Sequence, residues 1–132
     1  MKKRISLFII GVISSCLLLA VTAFGTASDT SSKQRIVCFK FKATASEKNI
    51  QQHIDDFAQL GKDILELLSY KAGKTIHGDF NAAPEYDIMH YMTFKDEAAI
   101  DKYFNNPKHQ EFIKRNKGSW EKVLVINSNT DK

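Results

Sequence analysis

Between residues 50 and 68 the side chains Ile50, Ile54, Phe57, Ile64 and Leu68, with Gly61 among them, recur at spacings of four and three. That period draws one apolar stripe along an α-helix, and a helix with one apolar stripe must lay it on another element. Thr44, with Glu47 three residues on, reads as a capping box, so the helix is predicted to start there and run about six turns. Gly61 sits inside the stripe, where a missing side chain lets the helix approach its neighbour closely. Glycine otherwise costs a helix interior about 1 kcal/mol.

The segments around this helix alternate. From Arg35 to Lys42, Val37, Phe39 and Phe41 fall on one face, and Ile36, Cys38 and Lys40 on the other. Ser69 to His77 is a second predicted strand with weaker alternation, ended by Gly78 and followed by a loop from Asp79 to Pro84. Tyr86 to Phe94 sets Ile88, His90, Met92 and Phe94 against Met89, Tyr91 and Thr93. Asp96 is placed to cap a short helix through Phe104. Asn105-Asn106-Pro107 breaks it, and Asn106 as cap with Pro107 as first helical residue starts another, ending near Asn116 and Gly118. Trp120 leads into a last strand, Val123 to Asn127. The order β-α-β-β-α-β predicts an α+β, ferredoxin-like domain. Two helices cover one face of its four-stranded sheet. The other face carries Ile36, Cys38 and further apolar residues, and an antiparallel sheet leaves a face in water only when that face is polar. A second copy is therefore expected to cover it as a two-fold homodimer, an α/β barrel.

The N-terminus reads differently. Lys2, Lys3 and Arg4 precede a stretch without charge from Ile5 to Gly25, then small residues at Gly25-Thr26-Ala27. This is the pattern of a signal peptide over residues 1–27, cleaved between Ala27 and Ser28, and it predicts an exported protein, periplasmic or secreted. The apolar run is long enough that an uncleaved membrane anchor is the alternative. Ile13-Ser14-Ser15-Cys16 loosely matches a lipidation site, but apolar Leu17-Leu18-Leu19 follows where such sites turn polar. Residues 28–34 are a polar linker, 35–128 the domain and 129–132 a tail. The whole chain has 19 Lys and Arg against 15 Asp and Glu; without Lys2, Lys3 and Arg4 the count is 16 against 15, a net +1. So balanced a domain offers no electrostatic reason to bind nucleic acid, nor a membrane once the signal is gone. Cys38 is the one cysteine left after cleavage, so an intramolecular disulfide is excluded and the core must hold the fold.

Several segments resemble the stress-responsive dimeric A/B barrel (Dabb) family. Ile36-Val37-Cys38-Phe39-Lys40-Phe41-Lys42 is similar to its opening strand, and Tyr86 with Thr93-Phe94 to its third. Tyr103-Phe104-Asn105-Asn106-Pro107-Lys108-His109-Gln110-Glu111-Phe112 resembles its most diagnostic segment, a Tyr followed by His-Pro-x-His and Phe. Trp120-Glu121-Lys122 before a Val/Leu-rich strand also fits, and the likeness spans Arg35 to about Ser128. It departs at Asn106, where the family often has a first histidine. The resemblance implies a homodimer with a pocket between sheet and helices in each subunit. It further implies that Val37, Phe39, Ile54, Phe57, Trp120 and Val125 line that pocket. One plant member performs an aldol-type cyclisation of a linear polyketide, and its catalytic Tyr and His fall on Tyr103 and His109.

On the residues themselves, His109 would be the third residue of a helix, whose positive end keeps an imidazole neutral and so available as a general base. Tyr103 would hold a carbonyl oxygen as charge develops on it. The blander reading makes Tyr103 a core residue and His109 a local cap, and a Tyr/His pair alone favours that reading. His53 precedes Ile54 and either edges into the same pocket or borders the apolar stripe, the second being the more ordinary role. Phe39, Phe57 and Trp120 are by type more often core than ligand platform. No metal-ligand spacing, Gly-rich phosphate loop or nucleophile elbow occurs, so neither metal nor cofactor is expected. Three classes remain: a stress-linked module binding a small apolar ligand, which is favoured; a cofactor-free enzyme of the cyclase or monooxygenase type using Tyr103 and His109; and a structural dimer with a filled core. Fold alone does not separate them.

Overall fold

A computed structural model describes residues 31–130. The predicted signal peptide, its cleavage point and Cys16 lie outside the described residues. The chain forms β1 (Lys33–Phe41), α1 (Glu47–Asp63), β2 (Ser69–Lys74), β3 (Ile88–Phe94), α2 (Glu97–Asn105), α3 (Pro107–Asn116) and β4 (Trp120–Asn129). The sheet order is β2-β3-β1-β4, antiparallel throughout. This is the ferredoxin-like α+β fold, with the helices on one face of the sheet.

Local chemistry sets the helix ends. Ser46, not Thr44, caps α1: its Oγ accepts from the Asn49 N–H at 3.2 Å, while Thr44 lies in the preceding turn that Ala45 N–H closes on the Lys42 carbonyl. The helix is also shorter than its stripe suggests. It stops at Asp63, Ile64 takes an extended conformation, and the Leu68 N–H donates to the Thr93 carbonyl, so Leu68 already belongs to the strand ladder. Leu68 is accordingly 61% exposed. Asp96 and Asn106 cap α2 and α3 where expected, through the N–H groups of Ala99 and Lys108.

β3 starts late, β2 ends early and β4 is longer than its apolar centre predicts. β3 begins at Ile88 rather than Tyr86 because the Asp87 carboxylate takes the Phe41 N–H at 2.7 Å. β2 stops at Lys74, opposite Ile88, leaving His77 in an exposed loop. β4 extends beyond its apolar centre in both directions. Its C-terminal half is held by side chains laddered across to β1: Arg35 to Asn127, Gln34 to Ser128 and Lys33 to Asn129, each at 2.8 Å.

Register sorts the sheet faces. Val37 pairs with His90 and Val125, and Phe39 with Ile88 and Val123, all on the helix side. There Val37, Phe39, Phe41, Phe57, Ile88, Met92, Phe94 and Phe112 form the core. Gly61 lets α1 close on β2: a Cβ there would stand 3.1 Å from the Tyr70 ring. Ile36 pairs with Tyr91 and Ile126, and Cys38 with Met89 and Leu124, on the face without helices. Met89, Leu124 and Ile126 are exposed there.

Candidate functional site

The break between α2 and α3 builds the site. Asn106 ends one helix and caps the next: its N–H donates to the Tyr103 carbonyl and its side chain accepts from Lys108. Pro107 gives up an N–H that would be unpaired in any helix's first turn. This one-residue joint folds α3 back so that the Tyr103 and His109 ring centres lie 4.4 Å apart. The Phe104 carbonyl, left over at the end of α2, accepts from His109 Nδ1 at 3.1 Å and from the Gln110 amide. A carbonyl only accepts, so the His109 proton sits on Nδ1 and the Nε2 lone pair is the basic one. Burial, helped by the Arg35 charge, lowers the His109 pKa against the opposing pull of the Phe104 bond, and the ring is neutral near pH 7.

Tyr103 is buried, and its hydroxyl is the one buried side-chain polar atom among the described residues with no hydrogen-bond partner. Burial raises its pKa well above the ordinary value, against a smaller lowering by Arg35, so it remains a neutral donor. A cavity of about 200 Å³ opens between these two side chains and the β1–β4 half of the sheet. Among the sequence candidates, Val37, Phe39, Phe57, Trp120 and Val125 line it together with Tyr103 and His109. Val123 and Val125, on the edge strand, are 42% and 51% exposed and form its open side. Larger depressions elsewhere, such as one of about 590 Å³ beside Gln110, Glu111, Lys114 and Arg115, are lined by polar and charged surface residues.

Two candidates are elsewhere. Ile54 packs half-buried against the core without lining the cavity. His53 is neither a border residue nor a pocket residue: it is fully buried, one position round the helix from the stripe drawn through Ile54. Its Nδ1 accepts from Trp120 Nε1 at 3.1 Å, and its Nε2 meets His90 Nε2 at 3.3 Å. His90 Nδ1 in turn meets the Tyr70 hydroxyl at 3.0 Å. Arg35 was missed. It continues the 41, 39, 37 alternation of β1, so the period alone would have placed it on the cavity side. Its guanidinium carbon lies 5.8 Å from the Tyr103 ring centre and 6.0 Å from that of Phe94.

The sequence of residues 34–130 matches the model of the stress responsive A/B barrel domain. The chain belongs to that family. Among curated relatives, the stress-response A/B barrel domain-containing protein HS1 of Arabidopsis thaliana is 29% identical over 93 residues, covering 70% of this chain and 84% of that one. Among solved structures, the hydroxynitrile lyase of Passiflora edulis superposes with a TM-score of 0.71 at 24% identity, covering 78% of this chain and 96% of that one. A dimeric ferredoxin-like protein of unknown function from Thermobifida fusca gives 0.65 at 19% identity, with 77% and 93% covered. These two structural likenesses establish the ferredoxin-like fold at this level of identity. The basis for an activity is the site.

Proposed function

We propose that this A/B barrel domain binds a small, largely apolar molecule in the cavity between Tyr103, His109 and the β1–β4 half of the sheet. One observation carries the reading: the buried Tyr103 hydroxyl without a partner. Leaving a buried hydroxyl unpaired costs about 1–3 kcal/mol, and an acceptor on a ligand recovers it. Apolar walls with a few convergent polar groups are the usual make-up of a ligand pocket, and a volume of about 200 Å³ suits a molecule smaller than a drug. Trp120 lines the cavity and is the chain's one tryptophan, so its fluorescence reports occupancy. A screen of small aromatic and short aliphatic compounds, read by Trp120 emission and by thermal shift, tests the proposal. Binders that lose affinity in Tyr103→Phe support it; a screen in which nothing moves either signal refutes it.

A second reading, cofactor-free acid–base chemistry, is favoured by the His109 tautomer. Nε2 would take a proton from carbon next to a carbonyl, and the Tyr103 O–H would hold the oxygen as it gains charge. Asn106 has no titratable group, so a second histidine at that place takes no part. The test is turnover of a bound carbonyl compound, lost in His109→Ala while binding persists.

In the cell we place the domain outside the cytoplasm, as a homodimer with a stress-linked role. Export rests on residues 1–27, and the intact mass of protein from the native host's envelope fraction tests cleavage after Ala27 against retention or a lipid on Cys16. The dimer rests on the uncovered apolar face, and the Thermobifida fusca neighbour, which is dimeric, supports it.

A further inference from the structure

The cavity has apolar walls, but one fixed charge faces it. Arg35 lines it beside Tyr103 and His109, half-buried, with its guanidinium packed near the Tyr103 and Phe94 rings. Its Nε donates to the Asn127 side-chain oxygen at 2.8 Å, which orients the group without answering its charge, because an amide is neutral. Asp101 acts on it only as a more distant charge, and among the described residues no carboxylate forms an ion pair with it. His109 and Tyr103 are both neutral, so neither balances it. A guanidinium carries five N–H donors, and its fork matches a carboxylate, with which it makes short, charge-assisted bonds. A half-buried cation without a counter-ion is an expensive arrangement in an otherwise apolar cavity.

We infer that the ligand of this cavity is a small carboxylate whose charge lies against Arg35, with the Tyr103 hydroxyl donating to it and its hydrocarbon body against Val37, Phe39 and Trp120. The inference rests on the pocket reading above and adds the chemical class of the ligand. The cavity's size limits the acid to roughly that of benzoate. Arg35 is then the residue that sets specificity, since it separates an acid from a neutral molecule of the same shape.

Benzoate and its neutral isostere benzamide separate these claims. Each is titrated into the purified protein while Trp120 fluorescence is followed, with Arg35→Gln as the variant and circular dichroism as its folding check. Benzoate is expected to saturate the signal with an affinity about tenfold or more above that of benzamide, the size of one charge-assisted bond. Arg35→Gln is expected to bring the ratio of the two affinities down to about one. Equal binding of the two probes by the unmodified protein overturns the inference while sparing the pocket. So does an Arg35→Gln protein that keeps the preference. If neither probe moves Trp120 while other compounds of the screen do, this inference fails and the pocket stands; if nothing moves it, both fall. Should the variant not fold, the ratio measured on the unmodified protein decides.

Discussion

Trp120 Nε1 donates to His53 Nδ1 across 3.1 Å, and that bond sets the direction of a chain of four side chains. An indole N–H only donates, so Nδ1 of His53 accepts and its proton is on Nε2. That proton goes to His90 Nε2, and His90 then donates from Nδ1 to the Tyr70 oxygen. The chain crosses the core from the cavity wall to β2, and both imidazoles within it are fully buried. His53→Phe would strand the Trp120 N–H and the His90 Nε2 together, costing about 2–4 kcal/mol for two orphaned groups. Tyr70→Phe strands one group, the His90 Nδ1 proton, and costs about 1–2 kcal/mol. Urea unfolding of the two variants measures both. A His53→Phe protein no less stable than Tyr70→Phe contradicts the chain as drawn.

The same chain makes the protein acid-sensitive. Burial lowers the pKa of His53 to about 4 and that of His90 to about 3, the neighbouring His53 adding to the effect on His90. In the unfolded chain both titrate near the ordinary 6.5. Between those limits the unfolded state holds protons that the native state does not, so stability is full above about pH 6.5 and falls as the pH drops toward 4. Each histidine contributes a slope of at most about 1.4 kcal/mol per pH unit. Unfolding free energies at pH 7, 6 and 5 give the slope, and His90→Leu should flatten it. A protein equally stable at pH 7 and pH 5 rules out two neutral buried imidazoles.

The fold was readable because its signals are local. The alternation of Val37, Phe39 and Phe41, the Asp96 cap and the Asn106-Pro107 joint each need only neighbouring residues, and each is where the sequence placed it. The α1 face was misread by one position. The stripe through Ile50, Ile54 and Phe57 is apolar, but the residues buried most deeply are His53, Phe57 and Leu60. A histidine on the inward face is invisible to a hydrophobic period, and its reason for being there is spread over α1, β2, β3 and β4. Tyr103 and His109 came together in the sequence through likeness to a family, and the geometry adds what likeness cannot, the Phe104 carbonyl that sets the His109 tautomer. Arg35 escaped because a charged residue at a strand's start reads as solvent-facing until its register with Val37 is taken literally.

The helix-free face predicts the quaternary structure. Met89, Leu124 and Ile126 are 41%, 36% and 47% exposed, beside half-buried Ile36 and Cys38, and together they make a continuous apolar patch across β3, β1 and β4. Monomers rarely leave such a patch in water. Sedimentation at micromolar concentration is expected to show a dimer. Leu124→Lys with Ile126→Glu should yield a folded monomer, since neither side chain contributes to the helix-side core. A parent protein that sediments as a monomer overturns the assignment of this face.

Tyr103→Phe has an unusual expected outcome. Removing a buried hydroxyl usually costs a protein its hydrogen bond, but here no bond is lost. The variant keeps the ring against Phe94 and His109 and sheds only the penalty of a desolvated, unpaired O–H. The ligand-free protein should therefore be as stable as its parent, or more stable by up to about 1 kcal/mol. His109→Ala is the contrast. It breaks the bond from Nδ1 to the Phe104 carbonyl and empties the space beside Tyr103, so it should destabilise by about 1–3 kcal/mol. With benzoate present the order changes: both variants should gain less from the ligand than the parent does, measured as the shift in melting temperature at fixed concentration. If Tyr103→Phe instead loses more than about 1 kcal/mol without ligand, its hydroxyl has a partner in the folded protein. The cavity then loses the feature that most marks it as a binding site.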